Sequence, residues 1–123
     1  MADMYGALRS NWFTPVDADA CKRFLAEEVN FGESEIFDNG EGRLAIGCEG
    51  QYPCAHPMVP MDDDGNYQEW DLEAFATEMR KHLAPGEAFR VFAAGHEKLR
   101  YVAATHLIVT HEAVSFKNYS EGN

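Results

Sequence analysis

Between Trp70 and Gly86, Leu72, Phe75, Ala76, Met79 and Leu83 recur at i, i+3, i+4, i+7 and i+11. That spacing marks one apolar face of a helix. Asp71 stands where an N-cap belongs, Lys81 and His82 suit the negative end of the helix dipole, and Pro85-Gly86 stops the run. A second helix is predicted to begin near Ala18, with Asp17 and Asp19 as candidate caps. Cys21, Phe24, Leu25 and Val29 form its apolar face, and it should end near Asn30 or Gly32.

Elsewhere the pattern shifts to strands. Tyr5 to Phe13, ahead of Pro15, reads as a first strand. Ile36 and Phe37, then Leu44 and Ile46, form a hairpin about Asn39-Gly40, a pair that tolerates positive φ. Residues 49–66 hold Pro53, Pro57, Pro60 and two glycines, so no regular element is expected there. A loop of that length in a compact domain is usually functional or mobile. Glu87 to Ala94 reads as a strand, Gly95 to Lys98 as a turn, and Leu99 to His111 as a long, β-branched central strand. Ala113 to Tyr119 reads as one more strand before an end expected to fray. The order is β-α-β-β-α-β-β. Its first six elements match the split βαβ plan: an α+β, ferredoxin-like antiparallel sheet with two helices on one face, in one domain spanning 1–123.

Charge changes the picture most. The net charge is −11, from 21 acids and 10 bases. From Phe24 to Met79, 14 acids face one base, Arg43, for −13; the other residues carry seven acids and nine bases, for +2. The whole excess therefore lies in the middle of the chain. Direct nucleic-acid binding needs a basic face, so it is excluded as the main task, and anionic membranes are disfavoured. A basic partner is favoured, or no partner and plain solubility. No run of about 18 apolar residues spans a bilayer. "MADMYGALRSNWF" has no signal-peptide layout, so a cytosolic protein is expected, with Cys21, Cys48 and Cys54 as free thiols.

The chemistry suggested by individual motifs is weak. "DDDG" invites calcium, but setting Gly65 at position six of an EF-hand loop puts Pro60 at position one, where a ligand is required. Cys48, Cys54 and His56 have spacings that match zinc sites poorly. His56, His82, His96, His106 and His111 are scattered, and no nucleophile signature surrounds a Cys or Ser. His106 alternates with apolar residues, as a satisfied core or sheet-face histidine would. No phosphate-binding loop or dinucleotide fingerprint occurs, so no cofactor is expected. Trp12, Tyr52, Tyr67 and Trp70 lie by loops and strand ends. Trp70 suits an interface anchor ringed by charge, or a hydrophobic staple ahead of the Asp71 cap.

"RSNWF", the capped helix, the long loop and "GEAFRVFAAGHEKLRYVAATHLIV" together resemble the YubB-type ferredoxin-like group of small phage- and plasmid-borne proteins. The resemblance covers most of the chain and implies no catalytic residues. Small acidic proteins of such elements are often host-defence inhibitors, including anti-CRISPR proteins. The resemblance and the charge imply a non-enzymatic inhibitor, a DNA mimic that occupies a basic nucleic-acid groove of a CRISPR surveillance complex. Glu27, Glu28, Glu33, Glu35, Asp38, Glu41, Asp62, Asp63, Asp64, Glu69 and Trp70 would meet the partner. Two other classes stay open. One is a small enzyme or ligand-binding domain working at the 49–66 loop through Tyr52, Cys54 and His56. The other is a dimeric interaction scaffold, which predicts an exposed apolar sheet face.

Overall fold

A computed structural model describes residues 5–31, 34–51, 54–60, 62–66, 68–97 and 101–122; Tyr5 and residues 50–51, 97, 101–102 and 120–122 are described as backbone only. The elements run β1 (Tyr5–Ser10), α1 (Ala18–Glu27), β2 (Glu35–Asp38), β3 (Leu44–Gln51), β4 (Met58–Val59), β5 (Gln68–Glu69), α2 (Leu72–Arg80), β6 (Phe89–Glu97), β7 (Tyr101–Val109) and β8 (Val114–Gly122). Six strands form one antiparallel sheet in the order β2-β3-β1-β6-β7-β8. β4 and β5 pair separately as a short ribbon. The fold is therefore α+β, with a large antiparallel sheet and two helices.

Both helices start as their caps dictate. The Asp17 carboxylate accepts from the Asp19 and Ala20 amides at 3.0 and 3.2 Å, and the Asp71 carboxylate accepts from the Ala74 amide at 3.1 Å. Their apolar faces meet the inward side chains of the sheet in one core. Leu8, Ile46, Phe89, Val91, Leu107 and Val109 are fully or almost fully buried there. Phe75 of α2 is central: its ring meets Phe24, Phe31, Trp70 and Phe89 at centroid distances of 6.0–6.3 Å. Burial pushes the Cys21 thiol up to about 12, since a thiolate in that core would lose its hydration.

Several expectations give way. β1 ends at Ser10, and Phe13 forms an isolated bridge with Leu44. The β2–β3 loop spans residues 39–43 rather than a two-residue turn, because the Asn39 side chain accepts from both the Glu41 and Arg43 amides. α1 stops at Glu27, since Asn30 leaves to pair with Met58. The 49–66 stretch is not wholly irregular: β3 continues to Gln51, and Met58–Val59 forms β4. The expected turn at Gly95 to Lys98 is largely strand, with Gly95, His96 and Glu97 paired to Ala103, Val102 and Tyr101. Lys98 lies outside the described residues. Gly95 is a buried strand residue rather than a turn glycine. It pairs with Gly6, where an added Cβ would stand 2.7 Å from Gly95 Cα and 1.9 Å from the Ala94 carbonyl. The C-terminal strand reaches Gly122 in pairing with β7, so the described end is ordered by its ladder.

Strand directions place everything else. β1 and β2 run parallel with β3 between them; β3 and β6 run parallel with β1 between them. α1 therefore runs back along the sheet from the end of β1, and α2 runs the opposite way. The last turn of α1 and the first turn of α2 lie at the same end of the sheet.

Candidate functional site: an acidic end and an open sheet face

Three separate pieces of chain converge at that end. The Trp70 indole N–H donates to the Glu28 carbonyl at 3.0 Å, and its ring packs on Phe24 and Phe75. Asn30 and Met58 exchange backbone hydrogen bonds at 2.7 and 3.0 Å, which fixes the β4–β5 ribbon to the end of α1. Glu27 and Glu28 from α1, Asp62, Asp63 and Asp64 from the ribbon tip, and Glu69, Asp71 and Glu73 around the start of α2 are thereby brought to one end of the fold. All eight are exposed. Trp70 is partly buried and serves as the clamp between the two helices rather than as a free anchor.

The aspartate triplet divides by role. The Asp62 carboxylate accepts from the Asp64 and Asn66 amides at 3.0 and 2.9 Å, closing the ribbon tip around Gly65 at φ 81°. The Asn66 amide is the main reason its pKa lies below the usual carboxylate value. Its Oδ1 is thus committed to the turn. Asp63 and Asp64 project from that turn into solvent. Among the described residues, no group of three or more His, Cys, Asp or Glu side chains could hold a metal ion.

The remaining acids lie elsewhere. Asp38 pairs with Lys22 at 2.6 Å, and that ammonium holds its carboxyl below the usual range. Glu41 sits in the β2–β3 loop, at the far end of the sheet from the acidic cluster. Glu35 and Glu49 lie on the outer sheet face, and Glu78 bonds Lys81 at 3.0 Å. Glu33 lies outside the described residues. The acids therefore do not share one face: the structure gathers eight of them and separates Glu35, Asp38 and Glu41 from those.

The loop bearing Cys54 and His56 is tied down by the Ala55 amide, which donates to the buried Thr105 hydroxyl at 2.8 Å. The His56 ring stands edge-on to Phe116, with Nδ1 3.0 Å from the Pro57 carbonyl and Nε2 4.0 Å from Glu69. Tyr52 and Tyr67 lie outside the described residues. Two cavities, of about 480 and 460 Å³, are lined by other residues: one by the outer faces of β1, β2 and β3, the other by α1 with Pro60.

The outer face of the sheet is the feature to which sequence reasoning assigned no functional residues, His106 being read only as a satisfied core or sheet-face histidine. One cross-strand row runs Glu35, Gly47, Arg9, Phe92, His106, Lys117 from β2 to β8. The Arg9 guanidinium lies 4.9 Å from the Phe37 ring centroid and 5.3 Å from that of Trp12. Phe92 is 52% exposed and stacks on His106 at 3.8 Å. His106 Nε2 is buried with no hydrogen-bond partner. Burial foremost, then the charges of Arg90 and Lys117, lowers the His106 pKa and favours the neutral ring. The signal was present in the alternation: Arg90, Phe92, Ala94 and His96 occupy the solvent side of a strand whose other side is core.

Comparison with known proteins returns no matching family model, no matching curated protein and no matching solved structure. Among the described residues, no helix is long and apolar enough to cross a membrane.

Proposed function

We propose that the protein is a non-enzymatic inhibitor that places its acidic end in a basic, nucleic-acid-binding groove of a partner protein, with a CRISPR surveillance complex as the specific expectation. One observation carries this reading. Glu27 and Glu28 crowd the negative, C-terminal end of α1, whose last turn holds no base. Acids there oppose the helix dipole and cost stability. At the same end of the fold stand Asp63 and Asp64, which no capping or turn role requires. Local rules broken without a folding benefit concentrate at functional sites. Dense carboxylates of one sign would steer rapid, salt-sensitive association with a basic groove.

We read the strand order as a ferredoxin-like plan extended by a hairpin. β2-β3-β1-β6 follows the split βαβ plan, with β7 and β8 appended as a hairpin beyond β6. The test is inhibition of a purified type I CRISPR surveillance complex by wild type and by Asp63→Lys/Asp64→Lys. Asp62 is left in place to keep the turn. The variant should lose about tenfold or more in potency, the equivalent of about 1.4 kcal/mol, with an unchanged far-UV spectrum. Equal potency of the two proteins, or no inhibition by wild type, would count against the acidic end as the binding surface.

A further inference from the structure

We infer that the open sheet face is an isologous interface, occupied by a second copy of this chain, with the two-fold axis parallel to the strands and between β1 and β6. The row across the sheet is self-complementary. It begins with an acid, Glu35 on β2, and ends with a base, Lys117 on β8. The β2-β3-β1 half also carries Glu49. The described outward side chains of the β6-β7-β8 half include Arg90 and Lys117 and no acid.

An axis between β1 and β6 lays β2 on β8, β3 on β7 and β1 on β6 of the second copy. Glu35 then meets Lys117 of the second copy, and Arg9, held by its own two rings, meets the exposed face of Phe92. By symmetry each contact occurs twice. Packed sheets lie about 10 Å apart, a gap that one glutamate and one lysine bridge together. Shape agrees with charge. The β2-β3-β1 half holds the groove of about 480 Å³, and the other half presents the protruding Phe92 and Tyr119 rings, 52% and 57% exposed.

The other face-to-face symmetry, with the axis across the strands at this row, sets Glu35 on Glu35, Arg9 on Arg9 and Lys117 on Lys117. Like charges facing each other disfavour it, so the row selects one of the two arrangements. In the selected one both acidic ends point the same way. The two helix layers are roughly 30 Å apart, beyond the screening length of about 8 Å at physiological salt, so the ends do not repel strongly.

The dimer and the inhibitory reading stand separately, since a monomer could still displace DNA. Sedimentation velocity of wild type, Glu35→Lys, Lys117→Glu and the double variant over a wide concentration range tests the inference. Wild type should dimerise as concentration rises, each single variant should weaken the dimer by about tenfold or more, and the double variant should regain it. Both positions are exposed, and a far-UV spectrum verifies that each variant is folded. A wild type that stays monomeric, a dimer unmoved by the single variants, or a double variant that fails to recover overturns the inference. So does a monomer whose Phe92 face binds a fluorescein-labelled single-stranded oligonucleotide, which would make the face a stacking platform for nucleic acid.

Discussion

Asp62 and Asp63 are neighbours in sequence with unrelated tasks. The first closes a turn through two backbone amides, and the second faces solvent. A run of identical residues hides that difference until the turn geometry is known. His106 is the residue whose state answers to pH. Its folded pKa lies below the ordinary value of about 6.5 because burial beneath Phe92, with Arg90 and Lys117 nearby, disfavours the imidazolium. The unfolded chain then binds more protons than the folded one below that value. The associated stability is fully present above about pH 6.5 and is lost as pH falls toward the folded pKa. Denaturant unfolding should show wild type losing stability between neutral and mildly acidic buffer, and His106→Gln should flatten that decline. An identical decline in the variant would assign it to other groups.

At the scale of elements, α1 carries the clearest conflict between folding and function. Replacing Glu27 and Glu28 with lysine puts positive charge at the negative end of the helix dipole. The variant Glu27→Lys/Glu28→Lys should melt a few degrees higher than wild type while binding its basic partner less well. A lower melting temperature would show that these acids serve the fold and remove the main support for a functional role. Both helices were legible in the sequence, because cap and apolar face agreed in each, although both end short of their expected stops, α1 at Glu27 and α2 at Arg80. Asp17 and Asp71 cap as their positions imply. The β6–β7 hairpin was misplaced at Gly95 because a glycine within a strand resembles a turn glycine, while the close approach that excludes a side chain is at Gly6 opposite it. The β4–β5 ribbon was missed because its two-residue strands are specified by Asn30 and Trp70 rather than by any local pattern. The eight clustered acids could be counted in advance, but their convergence depends on the antiparallel run of α1 and α2. The outer-face row depends on register across six strands, and no segment of sequence contains it.

The whole molecule is polar in its layout. One end of the helix layer bears the exposed carboxylates, and the outer sheet face carries rings with an acid, Glu35, at one end of its row and a base, Lys117, at the other. A net charge of −11 favours solubility, yet solubility does not require acids at the negative end of a helix. The central claim is that this end competes with DNA for a basic groove. The most direct measurement is displacement of a labelled DNA duplex from a purified type I CRISPR surveillance complex, titrated with this protein at several salt concentrations. Displacement should be complete at low salt and should require progressively more protein as salt rises. Retention of the duplex at saturating protein, at any salt concentration, would contradict the account.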